Sequence, residues 1–251
     1  MSVERYLNNE ITPWTGEHIH RYLEAKKNIC AGDVVLDLAC GSGYGSNILS
    51  EVDNSEVYGG DIEKEAIDSC KKAWADNASL HFEIMDATDL RFSNDFFDKI
   101  VSLETIEHLT GYRKMLSEFS RVIKPNGTVI ISTPNIKISS PNGEIINPYH
   151  TQEFTYDEFD KILKEQFSDV VIYGQKYTRY YTNAGTSLVM KISENLLLAR
   201  GIRKLSYQFR NMIFKKLFNL DLYPSVNDFK LLSDKMVIDK KCHVLFAVCK
   251  K

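Results

Sequence analysis

Residues 34–45 read VVLDLACGSGYG, an apolar run that passes through one acid, Asp37, into a glycine-rich turn. A nearly continuous apolar run is typical of a strand buried in a parallel sheet, and glycines after it let the backbone approach a ligand before a helix begins. The spacing is Gly-x-Gly-x-Gly, whereas dinucleotide-binding turns follow Gly-x-Gly-x-x-Gly. Asp37 just before the turn favours a cationic ligand over a doubly negative pyrophosphate.

Outward from this stretch, strand-like and helix-like segments alternate as far as residue 174. This alternation predicts an α/β fold with a Rossmann-like, doubly wound and mostly parallel sheet. The predicted strands lie at about 33–38, 56–61, 80–84, 98–103, 127–133 and 169–174, with a last strand at 243–249. The predicted helices lie near 15–29, 44–52, 63–76, 110–124 and 155–166.

The interval 177–240 is too long to be a plain connection between two strands, so it predicts an inserted, mainly helical element. The predicted organisation is an N-terminal helical cap (1–32), a core (33–176 and 241–251) and this insertion. Within it, residues 191–220 carry seven basic residues against one acid, with apolar residues at roughly helical spacing. Three interpretations stay open for 191–220: a lid, a homodimer surface, or a basic helix that contacts an anionic membrane surface.

The composition of the chain limits the classes of function. Its 251 residues carry a formal charge of -3 and a pI near 6.1, which argues against nucleic acid as the main partner. The five cysteines form no Cys-x-x-Cys pair, which favours reduced thiols. The polar N-terminus predicts no signal peptide, and no apolar run approaches the ~20 residues that span a bilayer. We therefore expect a cytoplasmic protein, with peripheral contact at the inner face of the membrane as the alternative.

Acidic residues follow two further strands. Asp61 ends the second predicted strand, where a carboxylate is placed to accept hydrogen bonds from both hydroxyls of a ribose. Asp86 follows the third, where it is placed to accept from an adenine amino group. In an open α/β sheet the ligand lies beyond the carboxyl ends of the strands, so Asp37, Asp61 and Asp86 are expected at one edge.

Taken together, the chain from Asp33 to Gln175 and its last strand resemble the class I S-adenosylmethionine-dependent methyltransferases. The resemblance is carried by residues 36–43 (LDLACGSG), Asp61, Asp86, residues 97–102 (FDKIVS) and residues 121–127 (RVIKPNG). It implies a seven-stranded sheet with a reversed last strand, and S-adenosylmethionine as cofactor. The cofactor-binding residues it implies are Asp37, Ala39, Gly41, Gly43, Tyr44, Asp61, Ile62, Asp86, Ala87 and Leu103.

A second cluster of polar residues follows the fourth predicted strand, in LETIEHL at 103–109. Glu104, Glu107 and His108 stand at i, i+3 and i+4, so a helical turn there would project all three from one face. Two carboxylates and an imidazole can bind a divalent metal, with His150 as a candidate fourth ligand. Two histidines favour manganese, iron or cobalt over magnesium, which stays a candidate.

The Glu-x-x-Glu-His pattern with a later histidine resembles the metal site of small-RNA 2′-O-methyltransferases, and its first part is similar to ubiquinone-biosynthesis O-methyltransferases. The resemblance implies a divalent ion that gathers a vicinal diol or catechol. Two alternatives remain from the residues themselves. His108 can act as a general base with Glu107 orienting its ring, or the cluster is structural.

A narrower resemblance concerns the acceptor. Five segments are similar to bacterial methyltransferases of surface-polysaccharide assembly: 4–6 (ERY), 17–22 (EHIHRY), 40–46 (CGSGYGS), 132–135 (STPN) and 147–154 (NPYHTQEF). It implies O-methylation of a sugar hydroxyl on a nucleotide sugar or surface glycan. Glu17, His18 and Arg21 are then candidates to cover the cofactor, and Glu153 to position His150. The alternatives are an RNA 2′-hydroxyl, a catechol or quinone, and, from another class, a non-catalytic cofactor-binding subunit.

Overall fold

The computed structural model describes residues 12, 14–178, 206–218 and 221–251 of the chain. Its sheet has the strand order β3-β2-β1-β4-β5-β8-β6-β7. Strands β1 to β5 are parallel to one another, and β8 is antiparallel to both of its neighbours, β5 and β6. The strands are β1 (Val34–Leu38), β2 (Glu56–Asp61), β3 (Leu80–Ile84), β4 (Phe97–Leu103), β5 (Ile123–Pro134), β6 (Asp169–Tyr177), β7 (Phe229–Leu232) and β8 (Val244–Lys250).

Helices connect these strands. Over the described ranges they are α1 (Thr15–Lys26), α2 (Tyr44–Leu49), α3 (Lys64–Ala73), α4 (Tyr112–Val122), α5 (Ile136–Ser139), α6 (Tyr156–Lys164), α7 (Tyr207–Phe218) and α8 (Lys235–Lys241). Short 3-10 turns cover Ile106–His108 and Val226–Asp228. Helix α6 begins with a capping box in which Thr155 and Glu158 exchange hydrogen bonds, as expected for Thr-x-x-Glu.

The predicted fold class is confirmed, including the reversed last strand, which inserts between β5 and β6. One strand was not predicted. Residues 229–232 lie within the interval expected to be mainly helical, and they form the short strand β7. Four residues are too few to give a clear period-2 pattern, so sequence reasoning had little to detect.

The two faces of the sheet carry separate apolar clusters. Leu36 and Leu38 pack with residues of α4 and α6, whereas Val35, the residue before Leu36, packs with Tyr22 and Ala25 of α1. Alternate residues of a strand point to opposite faces, so helices cover both sides of β1. Asp37 shares the face of Val35, which directs its carboxylate toward α1.

The chain divides into two compact units. The first contains residues 21–176 and 231–251, with the sheet core and the candidate site described below. The second contains the described parts of 9–20 and 177–230. Within the second unit, Asp221 accepts hydrogen bonds from Asn211 and Lys215 of α7, and Thr178 donates to the Asp228 carbonyl. The predicted segment 191–220 lies outside the described residues except for α7 and Ser206, and the ERY motif at 4–6 lies outside them entirely.

Candidate active site

The glycine-rich turn between β1 and α2 has an unusual backbone conformation. Ala39, Gly41 and Gly43 have φ angles of 63°, 56° and 75°, in the left-handed region where glycine is the least strained residue. The turn is tied to the neighbouring strand because the Cys40 N–H donates to the Gly60 carbonyl (2.9 Å). It brings the end of β1 to the carboxyl edge of the sheet, between β2 and β4, where the strand order reverses. That is where α/β sheets bind ligands.

Asp61, at the end of β2, is fastened to this turn. Its Oδ2 accepts from the backbone N–H of Gly41 (3.0 Å), and its Oδ1 accepts from the N–H of Glu63 just before α3 (3.0 Å). Asp61 therefore sets the position of the glycine-rich turn relative to β2. It remains partly exposed, so the carboxylate is also within reach of a ligand.

A cavity of about 120 Å³ opens beside Asp61. Five of the ten predicted cofactor residues line it, namely Ala39, Asp61, Ile62, Asp86 and Ala87. The same cavity is lined by four residues that sequence reasoning missed, namely Leu38, Met85, Thr105 and Leu109. Thr105 and Leu109 come from the segment after β4, for which the sequence predicted a metal site, with a general base or a structural cluster as the alternatives. Ile62 is 64 % exposed and offers an apolar surface that a nucleobase could cover.

Asp86 lies at the rim of this cavity. Its Oδ1 accepts from both the N–H and the hydroxyl of Thr88 (both 2.8 Å). These hydrogen bonds from Thr88 hold the pKa of Asp86 below its usual range. An ionised carboxylate at the rim can accept a hydrogen bond from an amino group. This agrees with the prediction that Asp86 binds the amino group of adenine.

Asp37, predicted to contact the cofactor, is not among the residues that line this cavity. Its side chain is fully buried, and its two oxygens accept from the hydroxyls of Ser46 (2.6 Å) and Tyr22 (3.2 Å). Burial raises the pKa of Asp37 to about 7, although both hydrogen bonds favour the ionised form. In this structure the carboxylate fastens α1 and α2 to β1, and its predicted contact with a cofactor stays a prediction.

The remaining predicted cofactor residues are not among those that line the cavity. The ring of Tyr44 packs edge-on against Tyr22, with centroids 5.4 Å apart. Leu103 is buried with them on the α1 face. Gly41 and Gly43 contribute backbone to the turn, and the predicted roles of all four toward a cofactor remain predictions.

Beside the cavity lies a cluster of three possible metal ligands, Glu107, His108 and His150. One ligand atom from each residue lies within 4.8 Å of the other two. The 3-10 turn Ile106–His108 presents the first two residues directly after β4, and the backbone N–H of Thr151 donates to the Glu107 carbonyl (2.8 Å). That bond holds the segment with His150 against the turn, so residues 42 positions apart meet as predicted.

Glu107 is the buried centre of this cluster. Its Oε2 accepts from the Thr133 hydroxyl (3.0 Å), whereas Oε1 is buried, has no hydrogen-bond partner among the residues that the structure describes, and lies 3.9 Å from His108 Nε2. Burial and the nearby charge of Glu104 raise the pKa of Glu107 well above its usual range, and Arg21 partly opposes this. A buried carboxylate oxygen without a partner is costly unless a cation or proton compensates it.

The hydrogen bonds of the two imidazoles fix their tautomers. His108 Nδ1 lies 3.0 Å from the Tyr149 carbonyl, which can only accept, so Nδ1 carries the proton. His150 Nδ1 lies 2.7 Å from Glu153 Oε1, and the Asn147 side-chain amide nitrogen lies 3.0 Å from Nε2. In the neutral form of each ring the lone pair is therefore on Nε2. The general-base alternative predicted that Glu107 orients the ring of His108. In the structure, His108 Nδ1 donates its hydrogen bond to the Tyr149 carbonyl instead.

Glu104 does not join this cluster. It precedes the helical turn with a φ of 53°, so the single helical face expected for Glu104, Glu107 and His108 does not form. Its Oε1 accepts from the Ser132 hydroxyl (2.7 Å), and its backbone N–H donates to the Ser132 carbonyl (3.1 Å). Its role as a metal ligand stays a prediction.

The chain belongs to the methyltransferase domain family, which matches residues 29–185. Among curated relatives, a “Probable S-adenosylmethionine-dependent methyltransferase” of Mycolicibacterium smegmatis is 30% identical over 136 residues, covering 54% of this chain and 51% of that protein. Demethylmenaquinone methyltransferase of Clavibacter sepedonicus is 32% identical over 111 residues, covering 43% of this chain and 45% of that one. The chain spans about half the length of the curated relatives it matches.

Solved structures share the fold. Haemonchus contortus phosphoethanolamine N-methyltransferase 2, in complex with S-adenosyl-L-methionine, superposes with a TM-score of 0.63 at 18% identity, covering 97% of this chain and 54% of that chain. The YcgJ protein of Bacillus subtilis gives a TM-score of 0.59 at 17% identity, covering 93% and 99%. Among the helices that the structure describes, none has the length and apolar character that crossing a membrane requires.

Proposed function

We propose that this protein transfers the methyl group of S-adenosylmethionine to a sugar hydroxyl of a nucleotide sugar or surface glycan, with a divalent ion at Glu107, His108 and His150. The observation that carries the proposal is the buried, unpartnered Oε1 of Glu107, which lies 3.9 Å from the Nε2 of His108. The cofactor part is supported by family membership and by the cavity beside Asp61, at the edge of the sheet that the glycine-rich turn occupies.

The donor set fits a divalent cation. Glu107 Oε1 needs a positive partner, and the neutral imidazoles carry their lone pairs on Nε2 because Tyr149 and Glu153 hold the Nδ1 protons. At His150 an ion would replace the Asn147 amide nitrogen, which lies 3.0 Å from Nε2. One carboxylate and two imidazoles are typical ligands of manganese, iron or cobalt. A bound ion would draw two neighbouring hydroxyls together and lower the pKa of the one that attacks.

Methyl transfer is an in-line displacement at carbon. The acceptor oxygen forms a bond to the methyl carbon as the bond to the sulfonium sulfur breaks, and the hydroxyl proton leaves. The products are S-adenosylhomocysteine and a methyl ether. The described residues contribute by holding both reactants at one sheet edge, since Thr105 and Leu109 of the cavity wall flank the turn that carries Glu107 and His108. The lone pair on His108 Nε2 has one use at a time: with an ion bound it would be a ligand and the hydroxyl proton would pass to water, whereas without an ion the half-exposed imidazole is placed to accept that proton.

The acceptor is proposed as a sugar because its vicinal hydroxyls present two oxygens to one cation, and because the surface-polysaccharide motif at 147–154 contains the ligand His150. A catechol or quinol offers the same pair of oxygens. It is the second candidate, and the similarity to a demethylmenaquinone methyltransferase favours it.

The acceptor and the ion are tested together. The protein is incubated with methyl-labelled S-adenosylmethionine and separate pools of nucleotide sugars, lipid-linked glycans, catechols and short RNAs, each with Mn²⁺ or with EDTA. We expect Mn²⁺-dependent labelling of one sugar pool. Labelling of RNA or catechol alone would overturn the sugar acceptor, and full activity in chelated protein that contains no divalent ion would overturn the metal. Firm cofactor binding without transfer to any pool would favour a non-catalytic subunit.

The role of His108 is tested by His108→Ala. Turnover should fall by about 100-fold or more while affinity for S-adenosylhomocysteine stays within about twofold. Glu144→Gln, an exposed change in the loop before His150, is the matched control and should affect neither. A parallel loss of turnover and cofactor affinity would place His108 in the cofactor site instead.

A further inference from the structure

Glu153 is a buried carboxylate for which the proposed reaction has no direct use. It is 8 % exposed and follows His150 by three residues. Buried carboxylates are rare unless they are fully hydrogen-bonded, so its surroundings indicate what it stabilises.

Both oxygens of Glu153 are occupied. Oε1 accepts from His150 Nδ1 (2.7 Å), and Oε2 accepts from the hydroxyls of Ser139 (2.5 Å) and Ser140 (2.8 Å). These three hydrogen bonds compensate the carboxylate for the water that it loses on burial.

These contacts span one loop of the chain. Ser139 and Ser140 end helix α5, and His150 lies ten residues further on, so one carboxylate joins both ends of the loop 140–150. The intervening residues 141–146 are exposed. Glu153 thus adds a side-chain tie to the Thr151–Glu107 backbone hydrogen bond at the C-terminal end of the loop, where His150 meets Glu107 and His108.

The contact also selects the protonation of His150. A carboxylate at Nδ1 requires the proton there, which leaves the lone pair on Nε2, and the amide nitrogen of Asn147 at 3.0 Å from Nε2 is consistent with the same tautomer. A carboxylate on the remote nitrogen also makes an imidazole a stronger ligand, and removing such a partner typically weakens metal binding by 10–100-fold.

We propose that Glu153 is a positioning residue that fixes the tautomer and orientation of His150 and so prepares the Glu107–His108–His150 site for a divalent cation. The inference rests on the proposed metal site, but the state of the His150 ring does not require a metal. Glu153 acts through His150 and contacts neither acceptor nor cofactor in this scheme.

The first experiment measures Mn²⁺ binding alone by titration calorimetry, without acceptor, for the wild type, Glu153→Gln and Glu153→Ala. We expect Glu153→Ala to weaken Mn²⁺ binding by about 10–100-fold and Glu153→Gln by less, since a glutamine oxygen still accepts from Nδ1 without the charge. Affinity for S-adenosylhomocysteine should be unchanged in both variants, which shows that they are folded. Glu144→Gln should bind Mn²⁺ like the wild type.

The second experiment reads the ring directly, by the ¹⁵N chemical shifts of His150 in metal-free protein. We expect the Nδ1-protonated form in the wild type and in Glu153→Gln, and a tautomer mixture in Glu153→Ala. An unchanged tautomer together with wild-type Mn²⁺ affinity in Glu153→Ala would overturn the positioning role. If the wild type binds no Mn²⁺ while the tautomer still depends on Glu153, the metal proposal fails and the orientation of His150 stands.

Discussion

The phenol hydroxyl of Tyr22 donates a hydrogen bond to Oδ1 of Asp37 across 3.2 Å, joining helix α1 to the first strand of the sheet. Both side chains are buried, and Ser46 of α2 donates to the other carboxylate oxygen (2.6 Å). Two hydroxyl donors do not fully replace the solvation that a carboxylate loses on burial. Asp37 is thus a structural tie whose ionisation is costly.

This cost predicts a pH-dependent stability in cofactor-free protein. Because the pKa of Asp37 is raised to about 7, the folded state holds a proton that the unfolded state releases near pH 4, so stability falls as pH rises from about 4 to about 7. Asp37→Asn removes that ionisation. The stability of the variant relative to the wild type should therefore increase by about 2–3 kcal/mol between pH 5 and pH 8.

Urea unfolding at the two pH values measures the effect. The exposed Asp76→Asn is the control and should follow the wild type at both. A difference between Asp37→Asn and wild type that is the same at pH 5 and pH 8 would contradict the raised pKa.

The case of Asp37 also shows what sequence could and could not predict. Hydrophobic runs and the glycine spacing are local signals, and they predicted where the parallel strands lie along the chain, whereas the reversed last strand was implied by the resemblance to class I methyltransferases. The burial of Asp37 depends on Tyr22, fifteen residues upstream, and no motif links the two.

For the candidate metal site, too, the sequence predicted some features and not others. The residue types and the resemblance to small-RNA methyltransferases predicted that Glu107 and His108 meet His150. The left-handed φ of Glu104 and the tautomers set by Tyr149 and Glu153 depend on contacts distant in sequence or on backbone detail. Those features required coordinates.

The third glycine of the turn is explained by packing. A Cβ on Gly45 would lie 2.0 Å from the ring of Tyr22, so Gly45→Ala must displace that ring and strain its bond to Asp37. We expect a loss of about 1–3 kcal/mol of unfolding free energy, the usual cost of overpacking a core.

Chemical denaturation of Gly45→Ala measures this cost. Gly111→Ala, where the nearest atom would lie 3.3 Å away on a Thr88 methyl group, serves as the control and should cost less. Adding Tyr22→Leu to Gly45→Ala should recover part of the loss. Additive losses in the double variant would show that Tyr22 is not the obstacle.

Substitution of Asp61 should weaken cofactor binding, whereas substitution of His108 should lower turnover. Asp61→Ala leaves the N–H groups of Gly41 and Glu63 without their acceptor, which loosens the glycine-rich turn and removes the carboxylate beside the cavity. We expect at least tenfold weaker binding of S-adenosylhomocysteine by calorimetry, equivalent to about 1.4 kcal/mol or more. Asp68→Ala, a change at a half-exposed residue of α3, is the control. Unchanged affinity in Asp61→Ala would remove Asp61 from the cofactor site.

Glu107 combines its proposed role in metal binding with a structural cost. Its carboxylate is fully buried, one of its oxygens has no hydrogen-bond partner, and the charge of Glu104 is close enough to raise its pKa. Glu107→Gln keeps an acceptor for the Thr133 hydroxyl and removes the buried charge. In metal-free protein we therefore expect a gain of about 1 kcal/mol or more, which moves the thermal midpoint up by about 2–4 °C in a chain of this size.

The same substitution should abolish Mn²⁺ binding and reduce methyl transfer by at least about 100-fold, because the cluster loses its only carboxylate. Differential scanning fluorimetry with and without Mn²⁺ separates the two effects: the ion should raise the midpoint of the wild type and leave Glu107→Gln unchanged. Thr133→Val, which removes a hydrogen bond to the same carboxylate, should destabilise instead. A lower midpoint for metal-free Glu107→Gln would mean that the carboxylate is compensated in the fold, and that its unpartnered oxygen does not indicate a cation.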